Sequence, residues 1–250
     1  MKISQAMCGS APIVFIYGSE GRGKTTLATK FPSPVAMLLE RGLPRGVTVD
    51  AIDGTASFEH VMGAIKDLYS DPANYKTLIV DTVDALEPIL LEDVCLKHGW
   101  KNIEQPSYGK GFVLADETWR RFIRGLVALR DKHGMTIVLI SHSTIERVDD
   151  PRAPSFTTHM PKLHKRGRHL VLDACDLVAF IAEDLRIATD DSGFRERVRA
   201  TSSNQRFLFV EGTPAFTAKN RYGMPPKISV PIDFNINELT KYWKGETTNG

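Results

Sequence analysis

Short apolar runs alternate along this chain with longer segments in which apolar residues recur every three or four positions. Four runs have the length and composition of buried strands: residues 12–18, 34–40, 76–81 and 135–143. Helical periodicity is found between and after them, at residues 57–71, 85–99 and 114–134. Strands that alternate with helices in this way predict an α/β fold, with a mainly parallel central sheet flanked by helices.

Two segments interrupt this alternation and are predicted to be irregular. Residues 100–112 combine a proline and two glycines with three aromatic side chains. Residues 144–169 form a long polar stretch that contains three prolines and many charges. Because structureless loops of more than about 15 residues are uncommon unless they are functional or disordered, residues 144–169 are a candidate binding element. Residues 100–112 are a second candidate because of their aromatic and glycine composition.

The last part of the chain returns to an ordered pattern. Residues 195–203 and 205–212 are predicted to form a further pair of strands, and a short helix is expected at about 235–245. We find neither an internal repeat nor a linker. The chain is therefore predicted to form one domain over residues 1–250, with a short N-terminal lead at 1–11.

The stretch YGSEGRGKTT at 17–26 contains the end of the first predicted strand and the turn after it. Its spacing matches the P-loop pattern G-x-x-x-x-G-K-[ST], in which glycines let backbone N–H groups surround phosphate oxygens and the lysine reaches the β- and γ-phosphates. The loop is therefore predicted to bind ATP, and the hydroxyl of Thr25 is predicted to bind Mg²⁺. The residues assigned to the nucleotide site are Gly18, Ser19, Glu20, Gly21, Arg22, Gly23, Lys24, Thr25 and Thr26.

Three other predicted strands end in polar side chains, and the carboxyl ends of parallel strands face the ligand crevice in folds of this class. Asp81 ends one strand and is predicted to hold Mg²⁺ opposite Thr25. The alternative is that Asp81 caps the next helix, and Asp84 is the second choice for the ion. Glu40 ends another and is a candidate general base, with a surface glutamate paired to a nearby arginine as the alternative. His142 lies at the end of the third, where it would either contact the γ-phosphate or serve as a hydrogen-bonded buried histidine.

The two irregular segments carry the residue types that grip single-stranded nucleic acid. Aromatic rings stack on bases, and cationic side chains bind the phosphate backbone. The candidate DNA-binding residues are Tyr108, Lys110, Phe112, Arg152, Lys162, Lys165, Arg166 and Arg168. The alternative is that both segments are solvated loops without a ligand.

The segment AKNRYGMPP at 218–226 places Lys219 and Arg221 in a predicted loop far along the chain from the P-loop. Cationic side chains directed at a γ-phosphate stabilise the charge of the transferred group, and a neighbouring subunit can supply them. Lys219 and Arg221 are therefore candidate catalytic residues, with an ordinary surface turn as the alternative.

The composition indicates where the protein is located more clearly than it indicates which reaction the protein catalyses. The net charge is only +2, and the 3 cysteines have no metal-ligand spacing, which indicates reduced thiols. The first residues lack the pattern of a signal peptide, and no apolar segment is long enough to span a bilayer. The chain is therefore expected to be soluble and cytoplasmic, without a membrane partner.

The order of these motifs resembles the RecA-like ATPase core. In particular it is similar to the phage single-strand annealing proteins that are shortened RecA relatives, a phage-type AAA/RecA-like ATP-binding family. The P-loop, LLE at 38–40 and KNRYG at 219–223 carry the resemblance, which extends over nearly the whole chain. In RecA-like proteins the glutamate after the second strand is the catalytic base, which implies Glu40. The polar residue that ends the next central strand senses the γ-phosphate, which implies His142.

The resemblance also implies how such a protein works. Its two mobile loops would line a DNA channel, while Lys219 and Arg221 would reach the ATP site of the neighbouring subunit. The expected activity is DNA-stimulated ATP hydrolysis, in which Lys24 contacts the triphosphate. The expected partners are single-stranded DNA, further copies of the chain in a ring or filament, and a single-strand-binding protein. If the chain is phage-encoded, its setting is the cytoplasm of the host cell.

Two other functions are compatible with the P-loop. In a small-molecule kinase, the basic segment 144–169 would be a lid that closes over the phosphates, but Glu40 and the KNRYG motif would then have no role. In a regulatory or loading ATPase, ATP would act as a switch, and the main partner would be protein rather than DNA. ATP turnover that is stimulated by DNA and lost in Lys24→Ala favours the DNA-binding function over the kinase. In a regulatory ATPase, Glu40→Gln should trap one oligomeric state without changing the affinity for DNA.

Overall fold

The computed structural model describes residues 11–40, 42–53, 55–190 and 197–243. Within these residues the strands are β1 (Ile13–Gly18), β2 (Pro34–Leu38), β3 (Asp50–Ile52), β4 (Thr77–Asp81), β5 (Thr136–Val148), β6 (Phe156–Pro161), β7 (Leu177–Asp190), β8 (Arg197–Phe209), β9 (Lys219–Asn220) and β10 (Lys227–Ser229). The helices are α1 (Lys24–Ala28), α2 (Phe58–Ser70), α3 (Val83–His98), α4 (Lys110–His133), α5 (Lys165–Ala174) and α6 (Asn237–Thr240), with a 3-10 turn at Ser107–Gly109.

The central part of the sheet is parallel, with the strand order β7-β1-β5-β4-β2-β3. On one side β8 and β10 extend it as antiparallel strands, and β6 pairs with the second half of β5. The predicted α/β fold, with a mainly parallel sheet flanked by helices, is therefore confirmed. The order also places β5 between the P-loop strand β1 and β4, the strand that ends in Asp81.

Alternating side chains of the central strands belong to two separate layers of the core. On β1, Ile13, Phe15 and Tyr17 pack with α2, α3, α4 and α5, whereas Val14 and Ile16 pack with α1 and the C-terminal segment that contains α6. All five side chains are buried. Because both faces of these strands are covered, their sequences are continuous apolar runs rather than alternating ones.

Helix α4 is the centre of the first layer. It contacts α2, α3 and α5, and it buries Trp119, Phe122 and Leu126 against them and the sheet. Its other face is charged, as the amphipathic pattern predicts. Among the described residues, no helix combines the length and the apolar composition that crossing a membrane requires.

The start of α4 differs from the prediction. The helix begins at Lys110 rather than at residue 114, so the last part of the segment predicted to be irregular, including Phe112, is helical. Gly111 makes this possible, because a Cβ at that position would overlap the carbonyl oxygen of Ile103 in the preceding loop. The loop and the helix start therefore pack closely together.

The prediction of an irregular segment at 144–169 was wrong. Strand β5 continues to Val148 and pairs with β6 in an antiparallel hairpin, after which α5 begins at Lys165. The hairpin projects beyond the core, and most side chains in the second half of β5 are partly or fully exposed. Its sequence mixes charged residues with isolated apolar ones such as Ile145 and Val148, so it lacks the regular hydrophobic alternation that would have identified a strand.

The prediction for residues 195–212 also needs correction. These two runs do not form a hairpin with each other, because residues 197–209 are one continuous strand, β8, paired antiparallel with β7. The helix predicted at about 235–245 is shorter, ending at Thr240, while Trp243 stacks on Phe31 near α1. The predicted N-terminal lead lies outside the described residues except for Ala11.

Arg168 is buried in α5, which argues against its predicted role as a DNA contact. Only 9% of the residue is exposed, and its guanidinium donates to both carboxylate oxygens of Glu146 on β5, at 2.6 and 2.9 Å. A third bond goes to the carbonyl oxygen of Pro161 at the end of β6. Arg168 therefore fastens the hairpin to α5 instead of presenting a charge to a ligand.

We expect Arg168→Gln to lower the free energy of unfolding by about 2 kcal/mol, the usual scale for losing a bidentate charged hydrogen bond. Lys165→Gln is the matched control, since Lys165 is exposed on the same helix and the change should be close to neutral. Urea unfolding of both variants measures the difference. Equal stabilities would show that the Arg168–Glu146 pair contributes nothing to the fold.

Candidate nucleotide site

The sheet brings the predicted site residues together at the carboxyl ends of its parallel strands. In the strand register, Gly18 at the end of β1 pairs with His142 of β5, while Asp81 at the end of β4 pairs with Leu38 of β2 and Ile140 of β5. Since β5 lies between β1 and β4, His142 is located between the P-loop and Asp81. This edge is where an open α/β sheet binds its ligand.

Two glycines of the P-loop are required by their surroundings. A Cβ at Gly18 would overlap the backbone carbonyl of Ile181 on β7. Gly23 has a φ of +77°, in the left-handed region, and a Cβ there would overlap the guanidinium of Arg206 on β8. The loop can therefore take this shape only with glycine at both positions. Of its other predicted residues, Ser19, Glu20 and Gly21 are exposed, and Thr26 is half-buried on α1.

The ammonium group of Lys24 lies inside the loop. Its Nζ donates to the carbonyl oxygens of Gly18 and Ser19, both at 2.9 Å, and the residue is only 6% exposed. Burial lowers the pKa of Lys24, and the nearby carboxylates of Asp81 and Asp84 partly oppose this shift. The charged amine is thus held where phosphate oxygens could replace neutral carbonyl acceptors.

Thr25 and Asp81 form the predicted Mg²⁺ position. The Thr25 hydroxyl donates to Oδ2 of Asp81 at 2.6 Å, so the two groups meet although 56 residues separate them. Burial raises the pKa of Asp81, and the hydrogen bond from Thr25 partly offsets this effect. A hydroxyl and a carboxylate are oxygen ligands of the kind that Mg²⁺ prefers. The residues present therefore fit this ion.

Glu40 and His142 meet in a hydrogen-bonded group with Thr82 and Asp84. Thr82 Oγ1 donates to Glu40 Oε1 at 2.7 Å, and His142 Nδ1 lies 3.5 Å from the same oxygen. Asp84 accepts from both the backbone N–H of His142 and its Nδ1, each at 2.9 Å. Burial alone would raise the pKa of Asp84, but these bonds from His142 outweigh it and lower the pKa.

The ionised Asp84 fixes the tautomer of His142. A carboxylate can only accept, so Nδ1 carries the proton, and Nε2 is the ring nitrogen that remains for another partner. Ligand atoms of Glu40, Asp84 and His142 all lie within 4.8 Å of one another, as they would in a metal site. Their mutual hydrogen bonds explain this proximity, and the group is suited to hold a base and a phosphate contact in place.

Sequence reasoning missed two residues beside the P-loop, Glu183 on β7 and Arg206 on β8. Arg22 of the loop forms an ion pair with Glu183, and Arg206 Nη1 donates to the carbonyl oxygen of Arg22 at 3.4 Å. No sequence signal connects these residues, which lie 161 and 184 positions from Arg22. Asp84, by contrast, lies in the motif that contains Asp81, and sequence reasoning named it only as a substitute for Asp81.

Lys219 and Arg221 lie on the amino-terminal side of the P-loop, beside the beginning of β7. In the strand register Lys219 of β9 is level with Phe15 of β1, three residues before Gly18, and Asn220 is level with Val14, so Arg221 is nearer the amino end of β1. The Lys219 Nζ donates to carbonyl oxygens at the end of α5, and Arg221 forms an ion pair with Asp176 at 3.0 Å. Both side chains are therefore engaged with the end of α5 and the turn before β7, and neither of them contacts the P-loop of its own chain.

Six of the eight predicted DNA-binding residues, all except Arg152 and Arg168, lie at or just before the starts of α4 and α5. The Phe112 ring stacks on His164 with centroids 4.2 Å apart, and Arg166 pairs with Asp116 of α4. These contacts form what we call the α4–α5 surface, which consists of Tyr108, Lys110, Lys162, Lys165 and Arg166. Tyr108 is 99% exposed.

Several charged side chains of this region are held in ion pairs, which the sequence alone does not reveal. Arg152 pairs with Asp150 at the tip of the hairpin, and Arg166 pairs with Asp116. Within the described part of the chain, no ion pair involves the three lysines of the α4–α5 surface. The lysines are therefore better candidates for phosphate contacts than the arginines, although exposed pairs such as Arg152–Asp150 are weak and exchange easily.

Two hydrogen bonds connect the nucleotide edge to the α4–α5 surface. The backbone N–H of Lys162 donates to the carbonyl oxygen of His142 at 2.9 Å, so the hairpin closes on His142. The Glu87 carboxylate accepts from the N–H of His164 just before α5, and Glu87 lies one turn after Asp84 on α3. A shift at His142 or Asp84 would thus be transmitted directly to Lys162 and His164.

Comparison with known proteins gives two findings. A family model described as an AAA domain matches residues 10–222. The chain is also similar to the SPbeta prophage-derived uncharacterized protein YorG of Bacillus subtilis (strain 168), with 27% identity over 219 residues. That alignment covers 83% of this chain and 64% of the relative, so the chain spans less than two thirds of the length of this relative.

We expect Asp81→Asn to stabilise the nucleotide-free protein while weakening Mg²⁺-dependent nucleotide binding by about tenfold or more. Because the pKa of Asp81 is raised, its ionised form costs stability above that pKa, and asparagine removes the cost. The gain in Tm should therefore be present at neutral pH and vanish as the pH falls through the pKa of Asp81. Thermal unfolding across pH, with and without Mg²⁺ and nucleotide, tests both parts.

Proposed function

Because the chain belongs to the AAA-domain family of P-loop ATPases, we propose that it is an ATP-dependent, single-stranded-DNA-binding protein of phage type that acts in recombination or strand annealing. The family implies nucleotide binding, usually with Mg²⁺. The similarity to a prophage-derived protein supports the phage setting. The observation that carries the DNA-binding part is the contact between the His142 strand end and the α4–α5 surface.

The nucleotide would lie across the carboxyl edge of the sheet. Lys24 binds the β- and γ-phosphates, and Thr25 and Asp81 hold Mg²⁺. Glu40 acts as the general base that activates water, and the Thr82 hydroxyl positions it by the bond at 2.7 Å. His142, oriented by Asp84, contacts the γ-phosphate side through its other ring nitrogen.

The α4–α5 surface has the chemistry to hold single-stranded DNA. The exposed ring of Tyr108 offers a face on which a base can stack, a contact worth about 1–3 kcal/mol. Lys110, Lys162 and Lys165 offer cationic groups for the backbone phosphates. The hairpin closes on the carbonyl of His142. A γ-phosphate that contacts His142 would therefore change the position of the α4–α5 surface.

Assembly into an oligomer would complete the catalytic site. Lys219 and Arg221 lie on the amino-terminal side of the P-loop and do not contact it, so they would act on a nucleotide held by a neighbouring copy. The Arg221 side chain is 55% exposed, whereas its partner Asp176 is 14% exposed and also accepts from the backbone N–H of Ile13, so Asp176 would keep a partner if Arg221 turned to a phosphate. Catalysis with these cations would depend on contact between subunits, in a ring or a filament.

A regulatory or loading ATPase is the second candidate. Val113 and Leu114, 52% and 37% exposed, lie beside Tyr108 at the start of α4, and exposed apolar side chains of this kind favour a protein partner.

The kinase hypothesis is weaker. The segment 144–169 is not an open lid, because it forms a hairpin and the start of a helix, and its arginines are ion-paired.

We expect the double variant Lys162→Ala and Lys165→Ala to weaken binding of single-stranded DNA by about tenfold, because each lost phosphate contact reduces both affinity and its salt dependence. The loss should be similar for all DNA sequences and greatest with an ATP analogue bound. Fluorescence anisotropy at several salt concentrations measures it.

The control for this experiment is Lys66→Ala with Lys76→Ala, which removes the same charge from exposed positions on α2 and at the start of β4. Its DNA affinity should equal that of the wild type. If both double variants bind DNA like the wild type while ATP turnover continues, the α4–α5 surface is not the DNA site, and the protein-binding function is favoured.

We expect Arg221→Ala to reduce ATP turnover by about 10³-fold, the lower end of the effect known for arginine fingers, without changing nucleotide affinity at low protein concentration. Adding an Asp81→Asn subunit, which retains Arg221 but binds Mg²⁺ poorly, should restore part of the activity in mixed oligomers. Turnover measured against the mixing ratio tests this. Failure of complementation, together with full activity of dilute wild type, would refute a contribution from the neighbouring subunit.

A further inference from the structure

The guanidinium of Arg206 lies against the phosphate loop of its own chain. Its Nη1 is so near Gly23 that a Cβ at that glycine would overlap it, and it donates to the carbonyl oxygen of Arg22. Gly23 directly precedes Lys24, so a second cationic group lies one residue from the lysine that binds phosphate. Arg206 is in β8, beyond the parallel strands that supply the rest of the site.

The contact that Arg206 makes with the loop is easily exchanged. Its distance of 3.4 Å is beyond the usual range of an N–H···O bond, and the acceptor is a neutral carbonyl. Bonds from arginine to phosphate are shorter and about twice as strong as bonds to neutral acceptors. A phosphate oxygen near Gly23 would therefore displace the Arg22 carbonyl as the partner of Arg206.

Arg22, the other arginine of this region, already has an anionic partner. It forms an ion pair with Glu183, the residue that faces Arg206 across the β7–β8 ladder. This pair holds the variable part of the loop against β7 and neutralises the charge of Arg22. It therefore leaves Arg206 as the better placed of the two arginines for a phosphate.

Arg206 and Thr26 also lie on the same flank of the loop. Both line a narrow cleft between α1 and β8, with Lys30 and Ile181 as further walls. Thr25 and Asp81, which bond each other, do not line this cleft, so an Mg²⁺ ion held by them would lie outside it. Phosphate oxygens on the Thr26 side would have Arg206 as a cationic partner instead.

We infer that Arg206 is a phosphate ligand of the nucleotide bound by the same chain, on the Thr26 side of the loop. This inference rests on the nucleotide binding of the proposed function and adds a contact that the sequence motifs do not contain. Since the group lies beside Gly23 rather than at the position of Glu40 and His142, it binds the diphosphate part that ADP and ATP share. It therefore contributes to affinity for both nucleotides equally.

The test compares Arg206→Gln, Arg206→Lys and the wild type for binding of ADP and of a non-hydrolysable ATP analogue by calorimetry, with Mg²⁺ present. Arg206→Gln should weaken both nucleotides by about tenfold, as expected for one lost charged hydrogen bond. The dependence of affinity on salt should also become less steep, because one charge fewer meets the phosphates. Arg206→Lys should retain more affinity than Arg206→Gln, since it keeps the charge.

Lys227→Gln is the matched control. Lys227 lies on β10 beside β8 and pairs with Asp184, so this variant removes a charge from the same side of the sheet without approaching the loop. Its nucleotide affinity should equal that of the wild type. Thermal unfolding of each variant without nucleotide identifies any loss of folding, and Arg206→Lys provides the comparison if Arg206→Gln is unstable.

The outcomes separate this inference from the proposed function. Wild-type affinity in Arg206→Gln would overturn the inference alone and leave the ATPase intact. A loss of affinity with an unchanged salt dependence and no recovery in Arg206→Lys would also overturn it, because Arg206 would then only shape the loop. Wild-type protein that binds neither nucleotide would overturn the proposed function and this inference together.

Discussion

The ammonium group of Lys24 is buried in a loop that offers it two carbonyl oxygens, and the rest of the site is arranged around its charge. Burying an ammonium group is costly unless anionic partners offset the loss of water. Asp81, Asp84 and Glu40 are near enough to oppose the lowering of its pKa, but its direct hydrogen bonds go to neutral acceptors. A polyphosphate would supply the missing anionic acceptors. Under the proposed function, the folded chain would thus be stabilised by the nucleotide that it uses.

Strand order determines what else that ligand can influence. Because β5 lies between β1 and β4, the residue that ends its parallel part, His142, is located between the phosphate loop and the Mg²⁺ position. The same strand then continues without a break into the hairpin, which closes on the carbonyl of His142. One continuous element therefore connects the γ-phosphate side to a cationic surface, and no separate mobile loop is needed for the connection.

The sequence was informative where chemistry is local and much less so where it depends on packing. The P-loop and Asp81 could be predicted because strand ends and glycine spacing are local signals, and the folded chain brings Thr25 and Asp81 together as expected. The hairpin was missed because its strands project from the core and lack alternation. Arg168 was misread because a basic residue in a polar stretch resembles a ligand-binding one, while its burial against Glu146 depends on a strand that had not been recognised. Arg206 carries no local signal, since only the pairing of β7 with β8 brings it to the loop.

In the proposed function, one set of cationic side chains binds the nucleotide and a different one promotes its hydrolysis. Lys24 and Arg206 lie beside the loop of their own chain, so a single subunit has the groups that would hold the diphosphate part of a nucleotide. Arg221 lies toward the amino end of β1, and under the proposed function it would act only on the nucleotide of another subunit. An isolated subunit would therefore load nucleotide without consuming it, and hydrolysis would begin only in the assembly. If assembly follows a DNA strand, turnover becomes conditional on DNA even though no DNA contact enters the catalytic site.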